Sequence, residues 1–190
     1  MRHREWIVIV GVLVSTASFA EEACKPTPLS SPAVSLDQFY TTAEAKAKAW
    51  RADAGPARLT SLGPIDAQGR STSWSMLFYS TAADVHVAIN AAGGMMTCWA
   101  RQGSAGRMPV LAPTFFRDGA KLYEIARAQG GDLVARGYGV MVQTAAAPSD
   151  RHGTWNLSFK MPEESGGTKF GGVTVIVDAN TGKLEKVLRD

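Results

Sequence analysis

The sequence is poor in the residues on which catalysis and metal binding most often depend. Its 190 residues include three histidines and two cysteines, and it has no Gly-x-Ser-x-Gly motif, which marks one large class of serine hydrolases. Lysine and arginine form no run, and the formal net charge is +3, so the composition predicts no dedicated nucleic-acid surface. These absences predict a protein that is not an enzyme and that needs no cofactor.

The sequence also lacks an apolar run long enough to cross a membrane. A spanning helix needs about 20 apolar residues, whereas the apolar run near the N-terminus covers residues 7–14. Arg2 and Arg4 precede this run, and Ser18 and Ala20 supply small residues after it, an order typical of a cleaved secretory signal peptide. We therefore predict that residues 1–20 direct export in a bacterium. The mature protein is expected to be periplasmic or secreted, with no stable membrane anchor.

The mature chain keeps two cysteines, Cys24 and Cys98. Lipid attachment at Cys24 is not expected, because Glu21 stands where a lipoprotein signal has an apolar residue. In an oxidising compartment such a pair most often forms a disulfide. The bridge would close a loop of about 75 residues and stabilise the fold by about 4 kcal/mol in the chain-entropy model. Two free thiols or an intermolecular bond are the alternatives.

The first half of the mature chain predicts one helix followed by strands. Residues 21–34 form a Pro/Ser-rich lead, and Ser35 with Gln38 then has the form of a capping box, which marks a helix start. Apolar residues recur at steps of three and four from Leu36 onward, and Gly55-Pro56 supplies a stop. Alternating segments then predict strands at residues 58–65, 73–80, 85–91 and 95–100.

The second half predicts the same order of elements. Residues 115–129 carry Leu122, Ile125 and Ala126 on one side of a helix, and Gly130-Gly131 follows as a stop. Strands are predicted at residues 133–144, 155–161, 173–178 and 183–188.

A spaced tryptophan pattern occurs in both halves. The segment at residues 74–78, WSMLF, recurs at 155–159 as WNLSF, each time after a helix and before an alternating strand. Self-similarity of this kind predicts one structural unit built twice. The expected fold class is α+β, with two repeated units at residues 35–101 and 114–190 and a linker at 102–113. In each unit a helix would pack on a three- to four-stranded antiparallel sheet.

The second half, with its Trp-x-Leu-x-Phe strand, its Val-x-Val-x-Val-Asp strand and its Asn-Thr-Gly-Lys turn, resembles the PepSY and PepSY-like domains of the cell envelope. The first half resembles them more loosely, since Asn90 replaces the aspartate. The resemblance implies a PepSY- or cystatin-like fold and a non-catalytic module that binds or restrains a protease or another protein. The residues that carry it are Trp155, Val175, Asp178, Thr181 and Gly182, with Trp74 and Val87 in the first half.

The remaining histidines and acids are not arranged for chemistry. His86 points outward from an alternating strand and His152 lies in a polar loop, so both are interpreted as solvated side chains. The adjacent acids at residues 163–164 are interpreted as solubilising charge. The segment that starts at Asp178 begins like a calcium loop, but Arg189 stands at its twelfth position, where such a loop needs an acid.

A copper site is the alternative to a protein-binding role. Met95, Met96 and Cys98 lie close together in sequence, and soft sulfur ligands favour Cu(I). Against this hypothesis, the two methionines point to opposite faces of a strand, and Cys98 is expected to form a disulfide with Cys24. A periplasmic small-molecule or copper-binding protein therefore remains the second hypothesis.

The first hypothesis is a non-catalytic module that binds another protein in the cell envelope, as an inhibitor, an immunity factor or an assembly helper. Trp74 and Trp155 are expected in the core, because both fall on the apolar side of their strands. Trp99, at a strand end, is the first candidate for a contact residue, and Tyr79 and Tyr138 are the others.

Overall fold

The computed structural model describes residues 24–100, 106, 108–145, 153–163 and 167–190. The predicted signal peptide at 1–20 and most of the N-terminal half of the predicted linker lie outside these residues. Neither described helix is long and apolar enough to cross a membrane. The elements, in chain order, are β1 (Thr27–Pro28), β2 (Val34–Ser35), α1 (Leu36–Trp50), β3 (Ala54–Ser61), β4 (Arg70–Ser71), β5 (Ser73–Ser80), β6 (Val85–Ala92), β7 (Met95–Ala100), α2 (Gly119–Ala135), β8 (Gly139–Ala145), β9 (Thr154–Pro162), β10 (Thr168–Asp178) and β11 (Leu184–Arg189).

Helix α1 begins at the predicted capping box. The Ser35 hydroxyl accepts a hydrogen bond from the Gln38 backbone N–H (3.3 Å), and the Ser35 N–H donates to Gln38 Oε1 (3.2 Å). One apolar stripe of the helix is buried, as its three- and four-residue spacing predicts. The helix ends at Trp50, and Gly55-Pro56 lie within β3 rather than at a helix stop. The buried stripe consists of Leu36, Phe39, Tyr40, Ala43 and Ala47.

Helix α2 is shifted and longer than predicted. It begins at Gly119, where the Asp118 carboxylate accepts a hydrogen bond from the Lys121 N–H (2.9 Å), and it continues to Ala135. The expected stop at Gly130 is a kink instead, with φ −140° and ψ 36°. A Cβ at Gly130 would overlap the Phe159 ring, so glycine lets the helix lie close to β9.

The main sheet is one continuous antiparallel layer of nine strands in the order β1-β7-β6-β5-β3-β8-β9-β10-β11. Strands β3 and β8 join in its centre, with Thr60 opposite Gln143. The prediction of two repeated units, each a helix on its own three- to four-stranded sheet, is therefore wrong. The sequence pattern shows which segments alternate, but it does not show that the two strands that follow the helices, β3 and β8, pair with each other.

The central seam between β3 and β8 uses side-chain hydroxyls in place of part of the backbone ladder. The Leu59 N–H donates to Thr144 Oγ1 (2.7 Å), and the Thr144 hydroxyl donates back to the Leu59 carbonyl (3.3 Å). On the other side the Val142 N–H donates to Ser61 Oγ (2.9 Å). Ser61 and Thr144 are both fully buried, so these bonds satisfy backbone groups that water cannot reach.

Both helices pack on the same face of the sheet, and the core lies between them and the strands. The predicted burial of Trp74 and Trp155 is confirmed, since each indole has 0% exposure. The Trp74 indole N–H donates to the Val34 carbonyl (3.0 Å), just before α1. The Trp155 indole N–H donates to the Phe116 carbonyl (2.9 Å), just before α2. Each tryptophan thus ties the start of a helix to the sheet beneath it.

The two outer edges of the sheet differ. Strand β1 is two residues long and pairs with β7, and the predicted disulfide between Cys24 and Cys98 is confirmed beside it, with the two Cα atoms 4.9 Å apart. Strand β11 is six residues long and forms the opposite edge. One edge is therefore short and covalently closed, whereas the other is long.

Candidate binding surface

The sheet face opposite the helices is a candidate binding surface. Neither described helix packs on this face, which we call the uncovered face. It is built by the alternate residues of each strand, because successive side chains of a strand point to opposite sides. Residues directly opposite each other in an antiparallel pair share a face. The register therefore defines rows of side chains that run across the strands on this face.

Three residues of one row on the uncovered face, together with His86 from the next row, form a patch around Trp99. Trp99 on β7 lies opposite Ala88 on β6, and Ala88 lies opposite Leu77 on β5. The indole is 60% exposed, and its ring meets the His86 ring edge to face at 6.3 Å. The alanine between the indole and the leucine has a short side chain. We call Trp99, Ala88, Leu77 and His86 the Trp99 patch.

The row beside the Trp99 patch is polar and uncharged over six strands. Register pairs connect its members from β7 across the central seam to β9. Hydroxyl and amide side chains of this kind both donate and accept hydrogen bonds, so the row can meet a polar partner without burying a charge. Its members are Thr97, Asn90, Ser75, Thr60, Gln143 and Asn156.

The structure separates the three predicted contact residues. Trp99 is exposed, as expected, whereas Tyr79 is 3% and Tyr138 7% exposed. The Tyr79 hydroxyl donates to Asp84 Oδ1 (2.7 Å), and the Val110 side chain covers the neighbouring Gly55 on the same face. Because burial leaves Tyr79 and Tyr138 little area for a partner, the candidate surface does not include them as contacts.

Only some of the residues considered for catalysis lie in the described part of the chain. His86 belongs to the Trp99 patch, and the predicted loop histidine, His152, lies outside the described residues. The same holds for Glu164 of the acidic pair. In the described ranges no group of three or more histidine, cysteine, aspartate or glutamate side chains is close enough to hold a metal ion.

The sulfur side chains of the copper hypothesis do not converge. Cys98 is bonded to Cys24, Met96 is fully buried in the core, and Met95 is 39% exposed. Adjacent residues of a strand point to opposite faces, as the sequence already indicated for the two methionines. The arrangement gives no reason to prefer a copper role.

A cleft of about 520 Å³ lies where the two helices begin. Its charged groups are already engaged. The Arg117 guanidinium lies 4.1 Å above the Tyr40 ring and contacts Asp37 (Nε to Oδ1, 3.3 Å). Burial raises the pKa of Tyr40, and the hydrogen bond from its hydroxyl to Glu44 (2.8 Å) raises the pKa further. The helix starts are capped by Ser35 and Asp118, so the cleft presents a satisfied network.

Sequence reasoning missed the neighbours of Trp99. Alternation assigns Ala88 and Leu77 to a face, but it does not say which residues of adjacent strands stand opposite the indole. The tight Gly93-Gly94 turn between β6 and β7, with φ values of 57° and 78°, is the local signal from which that register could have been derived.

No family model matches this chain, and it has no match among the curated proteins or the solved structures. The resemblance of the second half to the PepSY domains therefore stays a prediction.

Proposed function

We propose that the protein is exported from a bacterial cell to the periplasm or beyond, and that it binds another protein there through the Trp99 patch without catalysing a reaction. Inhibitor, immunity factor and assembly helper are the roles that such binding would serve. The PepSY resemblance, as a resemblance, points in the same direction.

The exposed indole is the observation that carries this proposal. Trp74 and Trp155 are completely buried, whereas Trp99 leaves 60% of its surface to solvent on the face that no described helix covers. Tryptophan is enriched among the residues that dominate protein interfaces, because it buries a large area at a small cost in side-chain entropy. The neighbours of Trp99 include a small and an aliphatic side chain, and a partner side chain can displace water from them.

The disulfide supports the proposed location. Bridged cysteines persist in oxidising compartments and are rare in the cytosol of most cells. Expression with residues 1–20 intact, followed by N-terminal sequencing of the protein in the periplasmic fraction, checks the export step. We expect the mature chain to begin at Glu21. An uncleaved chain that stays in the cytoplasm would contradict the location.

The binding role is best tested by quantitative capture from a cell-envelope fraction with three forms of the protein. These are the wild type, Trp99→Ala, and Leu62→Ala as a matched control, because Leu62 is similarly exposed (58%) but lies outside the Trp99 patch, just after the end of β3. We expect a protein retained by the wild type and by Leu62→Ala to be reduced at least about tenfold with Trp99→Ala, the size of effect typical of an interface anchor.

Equal retention by all three forms would count against the Trp99 patch. If no protein is retained stoichiometrically by the wild type, the binding role itself fails. Thermal unfolding of Trp99→Ala close to that of the wild type is the necessary check that the substitution acts on binding and not on folding.

A further inference from the structure

The edge strand β11 is a pairing surface that the Trp99 patch does not account for. At the opposite edge, β1 is only two residues long and ends in Pro28, which has no N–H to offer. Strand β11 offers six residues, and among the described residues no strand pairs with its outer side. Its side chains Leu184 and Leu188 are 45% and 40% exposed.

The hydrogen bonds of β11 show which backbone groups point outward. The Asp190 N–H donates to the Gly172 carbonyl (2.9 Å), and the register continues with Arg189 opposite Val173 and Val187 opposite Val175. In an antiparallel ladder hydrogen-bonded and non-hydrogen-bonded pairs alternate. The groups of Leu188 are therefore directed to β10, whereas those of Val187 and Arg189 are directed away from the sheet.

The charges of β11 fit a second copy of the same strand. If two β11 strands pair antiparallel about Val187, Glu185 of each copy stands opposite Arg189 of the other, and this happens twice because the arrangement is symmetric. Glu185 has no ion-pair partner among the described residues, and the Arg189 side chain extends along the surface to the Gln129 carbonyl (3.0 Å). Shifting the centre to Lys186 would instead place the two lysines opposite each other, which costs free energy.

We propose that two copies of this chain pair along β11, about a two-fold axis through Val187, to form one continuous antiparallel sheet. The outward groups of Val187 then bond to those of Val187 in the second copy. An axis perpendicular to the sheet keeps both helix layers on one side and joins the two uncovered faces into one surface. The proposal is independent of the protein partner suggested above.

Analytical ultracentrifugation of the disulfide-bonded protein over a range of concentrations tests the pairing. We expect a single reversible equilibrium in which the apparent mass approaches twice that of the monomer, because a six-residue strand pair makes a small interface. Val187→Pro removes the central outward N–H and should shift the protein to the monomer. Leu62→Ala, just after the central strand β3, should leave the equilibrium unchanged. A wild type that is monomeric at every concentration would overturn the proposal.

Charge exchange gives a second test, one that needs no backbone change. Glu185→Arg or Arg189→Glu alone turns two attractive contacts into two repulsive ones, so each should weaken dimerisation about tenfold. The double variant restores opposite charges and should recover most of the wild-type affinity. If the double variant is as weak as the single ones, or if Val187→Pro still dimerises in a folded state, β11 is not the interface.

Discussion

The two halves of the sheet are alike around their tryptophans and unlike at their outer edges. In each half a buried indole donates its N–H to a carbonyl just before a helix, Val34 in one case and Phe116 in the other. At the edges, a disulfide fixes the strand pair β1–β7, whereas the pair β10–β11 is held by hydrogen bonds and packing alone.

This difference shows that similar packing does not imply similar edges. The core is built in a similar way in both halves, since each helix covers its own half of the same sheet face. An unpaired strand edge is a template for another strand. The edge strand β11 is long enough to serve as one, whereas β1 has only two residues. Near the β1 edge the candidate contact is the Trp99 patch, and at the opposite edge it is the strand β11 itself.

The largest expected effect comes from removing the disulfide. Replacement of both cysteines by serine should lower the free energy of unfolding by about 4 kcal/mol, since the bridge closes a long loop of the unfolded chain. Urea unfolding measures this value. Hydrogen exchange should rise more in β1 and β7 than in β10 and β11. Equal increases at both edges would show that the bridge does not distinguish them.

The two tryptophans allow a direct comparison of the halves. Trp74→Phe and Trp155→Phe each remove an indole donor and part of a filled volume, so each should destabilise the protein by about 2 to 3 kcal/mol. Chemical unfolding of the two variants under the same conditions checks the prediction. A loss confined to one of them would mean that the second indole is not needed to hold its helix.

Substitutions at the seam test whether the two halves act as one sheet. Thr144→Val keeps the side-chain volume but leaves the Leu59 N–H and carbonyl without their buried partner, which should cost about 1 to 3 kcal/mol. Ser61→Ala, which affects only the Val142 N–H, should cost less. A single cooperative transition that shifts for all probes would confirm one unit, whereas two separate transitions would contradict it.

The smallest expected effect is the pH dependence due to Asp53 in the first half. The Ala82 N–H, together with the Ser80 hydroxyl, bonds the carboxylate and holds the pKa of Asp53 below its usual value of 3.8. A lowered carboxyl pKa stabilises the fold above the usual pKa, and this contribution is lost as the pH falls through the folded-state pKa. The stability difference between wild type and Asp53→Asn should therefore shrink below about pH 4. Urea titrations at several pH values measure it; a constant difference would contradict the assignment.

Local signals predicted the elements that depend on local interactions. The capping box at Ser35 and the strands at Ser73–Ser80 and Met95–Ala100 have the predicted bounds, because caps and alternation act within a few residues. Pro56 misled the prediction of β3. Proline is tolerated there because the register shift between Pro56 and Arg58 interrupts the ladder at this point. The Pro56 carbonyl accepts a hydrogen bond from the Leu111 N–H (2.7 Å).

What the sequence could not supply was contact between distant segments. The seam joins Leu59 to Thr144, which are 85 residues apart in the chain, and no periodicity encodes such a pair. The same reason explains the candidate surface. Exposure of Trp99 followed from its place at a strand end, whereas the sequence does not show that Val110, from a segment between the halves, lies against Gly55, the residue opposite Tyr79.

The strand order also limits how the chain can be circularly permuted. Since β1 and β11 occupy opposite margins, eight strand spacings of about 4.8 Å separate them, roughly 38 Å in all. A peptide bridging these margins would need at least about 11 fully extended residues. In any circular permutant with a shorter connector, β1 or β11 would have to leave the sheet.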